Sequence, residues 1–201
     1  MNPIIGDPVM QRAVEFLKDR YTGQTCSIVG KGPSLKYLRT EHIRPGPVIV
    51  LNEAIIHVQK CDLSNDIYSM QKDGGMSRGG YDGSMVQPLE HIWLILQLQY
   101  SSQWFPDHPK RLIVDPIIDF HMLVTEMSIR IVLQLAKIMG CSKINLICCD
   151  SLVNGDLRHF TRDGVISSGS GNYLYEYVRP LVLKDLKDIE HEFILPEEEA
   201  I

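Results

Sequence analysis

The segment Thr25-Cys-Ser-Ile-Val-Gly-Lys-Gly-Pro-Ser-Leu35 decides how the chain is read. Residues 26–29 are a short apolar run with β-branched side chains, which predicts a buried strand. The run stops on Gly30-Lys31-Gly32-Pro33-Ser34. Two glycines let the backbone turn sharply and let another group approach with no Cβ in the way. Pro33 suits the first position of a helix, and Ser34 its first turn or cap. Strand, glycine turn and helix start together predict a cradle for an anion, most often a phosphate. The same dipeptides also mark turns that hold no ligand. A second strand, over 48–51, ends on Asn52 and Glu53 about 20 residues on, the spacing of a nucleotide-binding βαβ unit.

Working outward, helical spacing over 9–20 predicts an N-terminal helix within a segment 1–24, with Gly23 as its stop. Short helices are expected over 34–40 and 54–60, with a turn at Pro45-Gly-Pro47 between them. A third strand over 67–70 runs into Gln71, Lys72 and Asp73. A Gly-rich loop follows over 72–88; five glycines between 74 and 83 cannot hold a regular element cheaply. That loop is either plain surface or a substrate lid with Arg78 and Tyr81 as contacts. The apolar stretch 91–98 fits strand or helix, and 111–114 fits a strand closed by Asp115-Pro116. The clearest helix is 122–139, with Ser128, Ile131, Val132, Leu135, Ala136 and Met139 at helical spacing and Gly140 as its stop. Residues 144–149 form a buried strand ending at Asp150, and a second flexible loop is expected over 167–171. A helix over 173–189, kinked at Pro180, precedes a last short strand over 192–195 and a solvated tail. Strands alternating with helices predict an α/β, Rossmann-like fold: a mainly parallel sheet with helices on both faces. Ligands bind such sheets at the carboxyl ends of the strands. Residues 30–34, Asn52, Lys72, Asp73 and Asp150 then share one edge.

At 201 residues the chain is expected to be a single domain with a proper core. A hydrophobic share of 44% and a charged share of 22% place it among ordinary globular chains. A net charge of −5 argues against a general nucleic-acid binder, which would show a basic face. No apolar run reaches the roughly 20 residues of a membrane span. The opening Met1-Asn-Pro-Ile-Ile-Gly-Asp7 has no basic segment followed by an apolar one, so no secretory signal is expected. Cys26, Cys61, Cys141, Cys148 and Cys149 include no Cys-x-x-Cys pair and read as reduced core thiols of a cytoplasmic protein.

The dinucleotide fingerprint fails, because Leu35 stands at its third glycine and Pro33 intrudes. The Gly-Lys-Ser/Thr phosphate loop is missing as well, since Lys31 precedes the second glycine. No Asp-x-Asp occurs, so no diphosphate-clamping metal site is expected; backbone amides, hydroxyls and cations would meet phosphate charge instead. His57 and Cys61, four apart, lack a third ligand and read as packing. His159, in Asn154-Gly-Asp-Leu-Arg-His-Phe160, is the histidine best placed for a cleft, and histidine ordinarily titrates near neutral pH as a general base should. Asp150 ends a buried strand, where an acid binds a ribose hydroxyl, orients a partner or caps the next turn. Asn52 offers one amide that both donates and accepts. Ser128 reads as a ligand contact or as a small packing residue.

These stretches resemble a known group. Ser-Ile-Val-Gly-Lys-Gly-Pro-Ser-Leu35 is similar to the opening Gly-x-Gly-Pro-Ser-Leu motif of the bacterial sialyltransferases of glycosyltransferase family 42. It resembles equally the archaeal 6-hydroxymethylpterin diphosphokinase-like and motility-accessory-factor proteins. Val50-Leu-Asn-Glu-Ala54, Cys61-Asp-Leu-Ser-Asn-Asp-Ile-Tyr68 and the stretch 128–150 extend the resemblance, which covers about residues 25–195. Lys31 stands where the sialyltransferases carry Asn, and Cys148 where the pattern Gly-x-Asp has Gly. The resemblance implies that Gly30, Gly32, Pro33, Ser34, Asn52 and Ser128 hold a nucleotide-activated donor without metal; Lys31, where the chain departs from the pattern, would face phosphate instead. A loop histidine would be the base on the acceptor; His159 takes that place by position.

The expectation is therefore a small transferase that passes a group from a CMP- or NDP-sugar to a hydroxyl of a small-molecule or glycan acceptor. His159 and Asp150 would be catalytic, and Lys72, Asp73, Arg78 and Tyr81 would contact substrate. Diphosphate transfer from ATP to a small alcohol is the alternative within the resemblance, and it would need Mg2+ on Asp73 and Asp150. A catalytically idle nucleotide- or partner-binding module is the third.

Overall fold

The computed structural model describes residues 11–72, 86–98, 104–123, 127–160, 166–167 and 174–198. A two-residue strand β1 (Gln11–Arg12) leads into α1 (Ala13–Leu17), β2 (Thr25–Val29) and a 3-10 turn at Pro33–Tyr37. Next come β3 (Val48–Leu51), α2 (Ile55–Val58), β4 (Ile67–Gln71), β5 (Trp93–Gln97) and β6 (Arg111–Val114). The second half holds α3 (Pro116–Phe120), α4 (Ser128–Ile138), β7 (Lys143–Ile147) and α5 (Asp150–Val153). The hairpin strands β8 (His159–Phe160) and β9 (Ile166–Ser167), a π-helical turn at Leu174–Val178, α6 (Arg179–Leu186) and β10 (Glu190–Ile194) complete the chain.

Eight strands form one sheet in the order β1-β6-β5-β4-β3-β2-β7-β10, and every neighbouring pair is parallel. From β2 the chain steps outward through β3, β4, β5 and β6. It then returns to the other side of β2 as β7 and continues to β10. The order reverses between β2 and β7, and that switch point opens a crevice at the carboxyl ends of the two strands.

A parallel sheet covered on both faces needs apolar residues on both. Alternation splits them: Cys26, Ile28, Ile49, Ile144 and Leu146 join a large core with α1, α4 and α6. Val29, Val48, Val50 and Ile147 join a smaller one with the 3-10 turn and α2. α4 packs hardest, burying Ile131, Val132, Leu133, Leu135 and Ala136. Its last carbonyls are taken up by the segment before β2, through Asp19 N to Ile138 O, Tyr21 N to Met139 O and Gly23 N to Gly140 O, each 2.8 or 2.9 Å. Arg130 Nε and Nη2 meet Asp185 Oδ2 and Oδ1 at 2.7 and 3.2 Å and tie α4 to α6.

Several sequence expectations shift. The N-terminal helix is confined to α1, because Arg12 and Gln11 pair with Ile113 and Leu112 at the sheet edge. The apolar stretch 91–98 is strand β5. The long helix over 122–139 begins at Ser128, and a separate helix α3 precedes it. Asp115 caps α3, accepting from Ile117 N at 3.1 Å and Ile118 N at 3.3 Å. Pro180 falls in the first turn of α6, where its missing N–H matters least, and the turn before it is π-helical. Among the described residues no helix is long and apolar enough to cross a membrane.

Leu135 is fully buried at the centre of α4. Leu135→Ala is expected to destabilise the fold by about 2–5 kcal/mol. Urea unfolding should show a lower midpoint with an unchanged slope.

Candidate functional site

β2 ends at Val29, and the next residues run directly over the end of β7. Gly30 N donates to Ile147 O at 2.8 Å and Gly32 N to Cys148 O at 3.0 Å. Ser34 gives both its amide and its hydroxyl to Asp150, at 3.1 Å to Oδ1 and 2.7 Å to Oδ2. A Cβ on Gly30 would sit 2.6 Å from Cys148 O, and one on Gly32 only 2.1 Å from Asp150 Oδ2. The glycines are therefore required by contact with protein.

This corrects the expected anion cradle. The amides of Gly30, Gly32, Ser34 and Leu35 donate to Ile147, Cys148, Asp150 and Gly32 in turn. The helix start is a five-residue 3-10 turn, too short to carry a useful dipole. Asp150, 5% exposed, fastens the loop, with both oxygens engaged by Ser34.

Beside this tie lies a cavity of about 180 Å³ at the switch point. Gly30, Lys31, Gly32, Asn52, Ser128 and His159, from four separate segments, all line it. Leu51, Met127, Ile129, Leu152, Leu157 and Val178 supply its apolar wall. Pro33, Ser34 and Asp150 face a second cavity of about 330 Å³ with Asp156, Glu197 and Glu198. Lys72 lines neither; its amide donates to Asn52 Oδ1 at 3.3 Å. Asp73, Arg78 and Tyr81 lie outside the described residues.

Asn52 sits at φ +48°, a left-handed conformation that Asn tolerates better than most residues. Its carbonyl accepts from Gln71 Nε2 at 2.9 Å, so strand β4 fixes it from below. Cys148 is left-handed too, at φ +55°, where the resembled pattern has glycine. Lys31 Nζ pairs with Glu53 Oε2 at 2.8 Å, and the Glu53 side chain is 5% exposed. Ser128 opens α4 and is buried. His159 stands on the β8–β9 hairpin opposite Ser167, with Nδ1 3.5 Å from Leu157 O.

Sequence reasoning missed Arg158. It lines both cavities and meets Asp156 through Nε at 2.9 Å and Nη2 at 2.6 Å. The guanidinium holds the Asp156 carboxyl below the usual carboxylate range. The signal was in Asn154-Gly-Asp-Leu-Arg158. Asn154 Oδ1 accepts from Asp156 N at 2.9 Å, and Asp156 Oδ1 from Arg158 N at 3.1 Å. Two successive Asx turns present Arg158. Cys148 and Cys149 also line the cavity, yet burial pushes the first thiol well up and the second to about 12, so neither is an activated nucleophile. Among the described residues no three His, Cys, Asp or Glu side chains gather to hold a metal ion. The thiol of Cys61 is directed at the carbonyl of His57, 3.8 Å away.

No protein-family model and no curated protein matches the chain.

Asp150→Ala is expected to cost about 2–4 kcal/mol, because a buried amide and hydroxyl lose their acceptor. Gly32→Ala should then be less damaging in the Asp150→Ala chain than in the wild type, since the atoms at 2.1 and 2.6 Å are gone. Additive losses in that double-mutant cycle would contradict the contact. The thiols set a pH dependence. A group whose pKa is raised by folding stabilises the fold below its unfolded value, here 9.0, and loses that contribution as pH rises. Stability should fall from pH 9 toward 12, by up to about 1.4 kcal/mol per pH unit per thiol. Urea midpoints should show a shallower fall in Cys149→Ala.

Proposed function

We propose that the chain is a small transferase that binds a nucleotide-activated donor, a CMP- or NDP-sugar, in the switch-point cavity. One observation carries this reading. Residues 30–32, Asn52, Ser128 and His159, far apart in sequence, line a single cavity where parallel sheets bind nucleotides.

In this reading the apolar wall takes the base and sugar faces, and the Asn52 amide and Ser128 hydroxyl orient them. His159 removes the proton from an acceptor hydroxyl as its oxygen bonds to the anomeric carbon. The bond from that carbon to the donor's phosphate oxygen breaks, and the nucleotide leaves with the electron pair. Diphosphate transfer from ATP has less support, because it places Mg2+ on Asp150, whose oxygens both accept from Ser34.

A thermal-shift series with CMP, UDP, GDP, ADP, ATP and NAD, each with and without Mg2+, tests the reading. The expected result is a metal-independent rise with one nucleoside mono- or diphosphate. Asn52→Gly keeps the left-handed backbone but deletes the amide, and should abolish that rise. His159→Ala should retain binding and lose about 100-fold or more in sugar transfer. A rise with ATP and Mg2+ alone would move the assignment to diphosphate transfer. No rise with any nucleotide would leave a binding module without nucleotide chemistry.

A further inference from the structure

We propose that Arg158 is the anion anchor of the switch-point cavity: its guanidinium leaves Asp156 and takes the phosphate of the bound ligand. The identity of that ligand as a nucleotide rests on the reading above; the anchoring role does not.

Among the described residues the lining of this cavity contains no Asp or Glu, although the chain as a whole carries a net charge of −5. Two cations among the described residues, Lys31 and Arg158, line it. An anion is the ligand such a lining favours. The Lys31 ammonium is held by Glu53, and drawing it away would strand a nearly buried carboxylate. The amides of Gly30, Gly32, Ser34 and Leu35 are bonded to protein. Arg158 differs on each point. Its side chain is 59% exposed, and its partner Asp156 is two residues away and 23% exposed. Such a pair contributes little and exchanges readily. A planar guanidinium also meets phosphate through two parallel hydrogen bonds, as it now meets the carboxylate.

The backbone holds Arg158 in place during that exchange. Its amide is fixed to Asp156 Oδ1, and the Asp156 amide to Asn154 Oδ1. The side chain can change partners while the loop keeps its position beside the cavity. The exchange also has a direction. On its other side Arg158 borders the second cavity, lined by Asp150, Asp156, Glu197 and Glu198. Those carboxylates repel an anion there and favour the first cavity, whose described lining has none.

Isothermal titration with inorganic pyrophosphate, nucleoside diphosphates and uncharged nucleosides tests this on the wild-type chain, Arg158→Gln, Arg158→Lys and Asp156→Asn. Both kinds of diphosphate should bind the wild type. Arg158→Gln should weaken them at least about tenfold, the loss of one charge-assisted bidentate contact. Arg158→Lys should recover part of that loss. Asp156→Asn keeps the turn-forming Oδ1 but removes the competing charge, and should tighten binding several-fold, a gain no purely structural role would give. Equal binding of diphosphates by Arg158→Gln and wild type would overturn the anchor and leave the nucleotide reading intact. Arg158-dependent pyrophosphate binding without nucleotide preference would keep the anchor and overturn that reading. No binding of any anion by the wild type would overturn both. Should Arg158→Gln fail to fold, Asp156→Asn decides alone: unchanged or weaker binding overturns the anchor.

Discussion

The two hydrogen bonds from Ser34 to Asp150 fasten the loop after β2 to the loop after β7 at the one place where the sheet order reverses. Without that fastening the crevice between the strands would have no fixed floor. A carboxylate at 5% exposure is costly to bury, and two donors on its two oxygens offset that desolvation. The rest of the local backbone follows from the same contact. Asp150 reaches under Gly32 closely enough to leave no room for a Cβ, and Gly30 crosses the Cys148 carbonyl under the same restriction. The chain after β7 must turn left-handed at Cys148 to bring Asp150 there.

That tie divides the polar groups of the region into two environments. On one side Lys31 is matched by Glu53, and the rest of the described lining is amide, hydroxyl, imidazole, guanidinium, thiol and hydrocarbon. On the other side four carboxylates gather around Lys36 and Tyr37. A modest excess of negative charge over the whole chain therefore coexists with a crevice whose described lining carries no carboxylate. Net charge excluded a broad basic face but could not show where the acids are withdrawn from.

The strands were legible because buried parallel strands are continuous apolar runs, as 26–29, 48–51 and 111–114 are, whereas the apolar run 144–149 overshoots β7, which ends at Ile147 before the left-handed turn at Cys148. α4 was legible from its periodicity. What escaped is held by tertiary partners rather than by local pattern. β1 is two residues long and exists only through its register with β6. β8 and β9 exist through each other, and α3, though its Asp115 cap is local, is one turn and too short to show a period. The site shows the same division. Gly30, Gly32, Asn52, Ser128 and His159 were found because a turn, a strand end, a helix start and a polar loop each leave a mark in sequence. Their neighbours were not found. A Gly-Lys-Gly sequence announces that something lies close to the backbone but does not say whether it is a phosphate or, as here, a carboxylate from the same chain. Lys31 and Glu53 are 22 residues apart and meet only across β2 and β3.

Cys148 shows how a residue with a side chain closes a left-handed turn. A left-handed backbone costs a side-chain-bearing residue roughly 1–2 kcal/mol relative to glycine. Burial of the side chain works in the other direction. Cys148 is fully buried and joins the smaller core with Val29, Ala54 and Ile147, packing that glycine would forgo. The two effects are of similar size, so the position tolerates a small apolar side chain without giving up the turn that carries Asp150 to Ser34. Cys148 borders the cavity but is no nucleophile there, because burial keeps its thiol protonated.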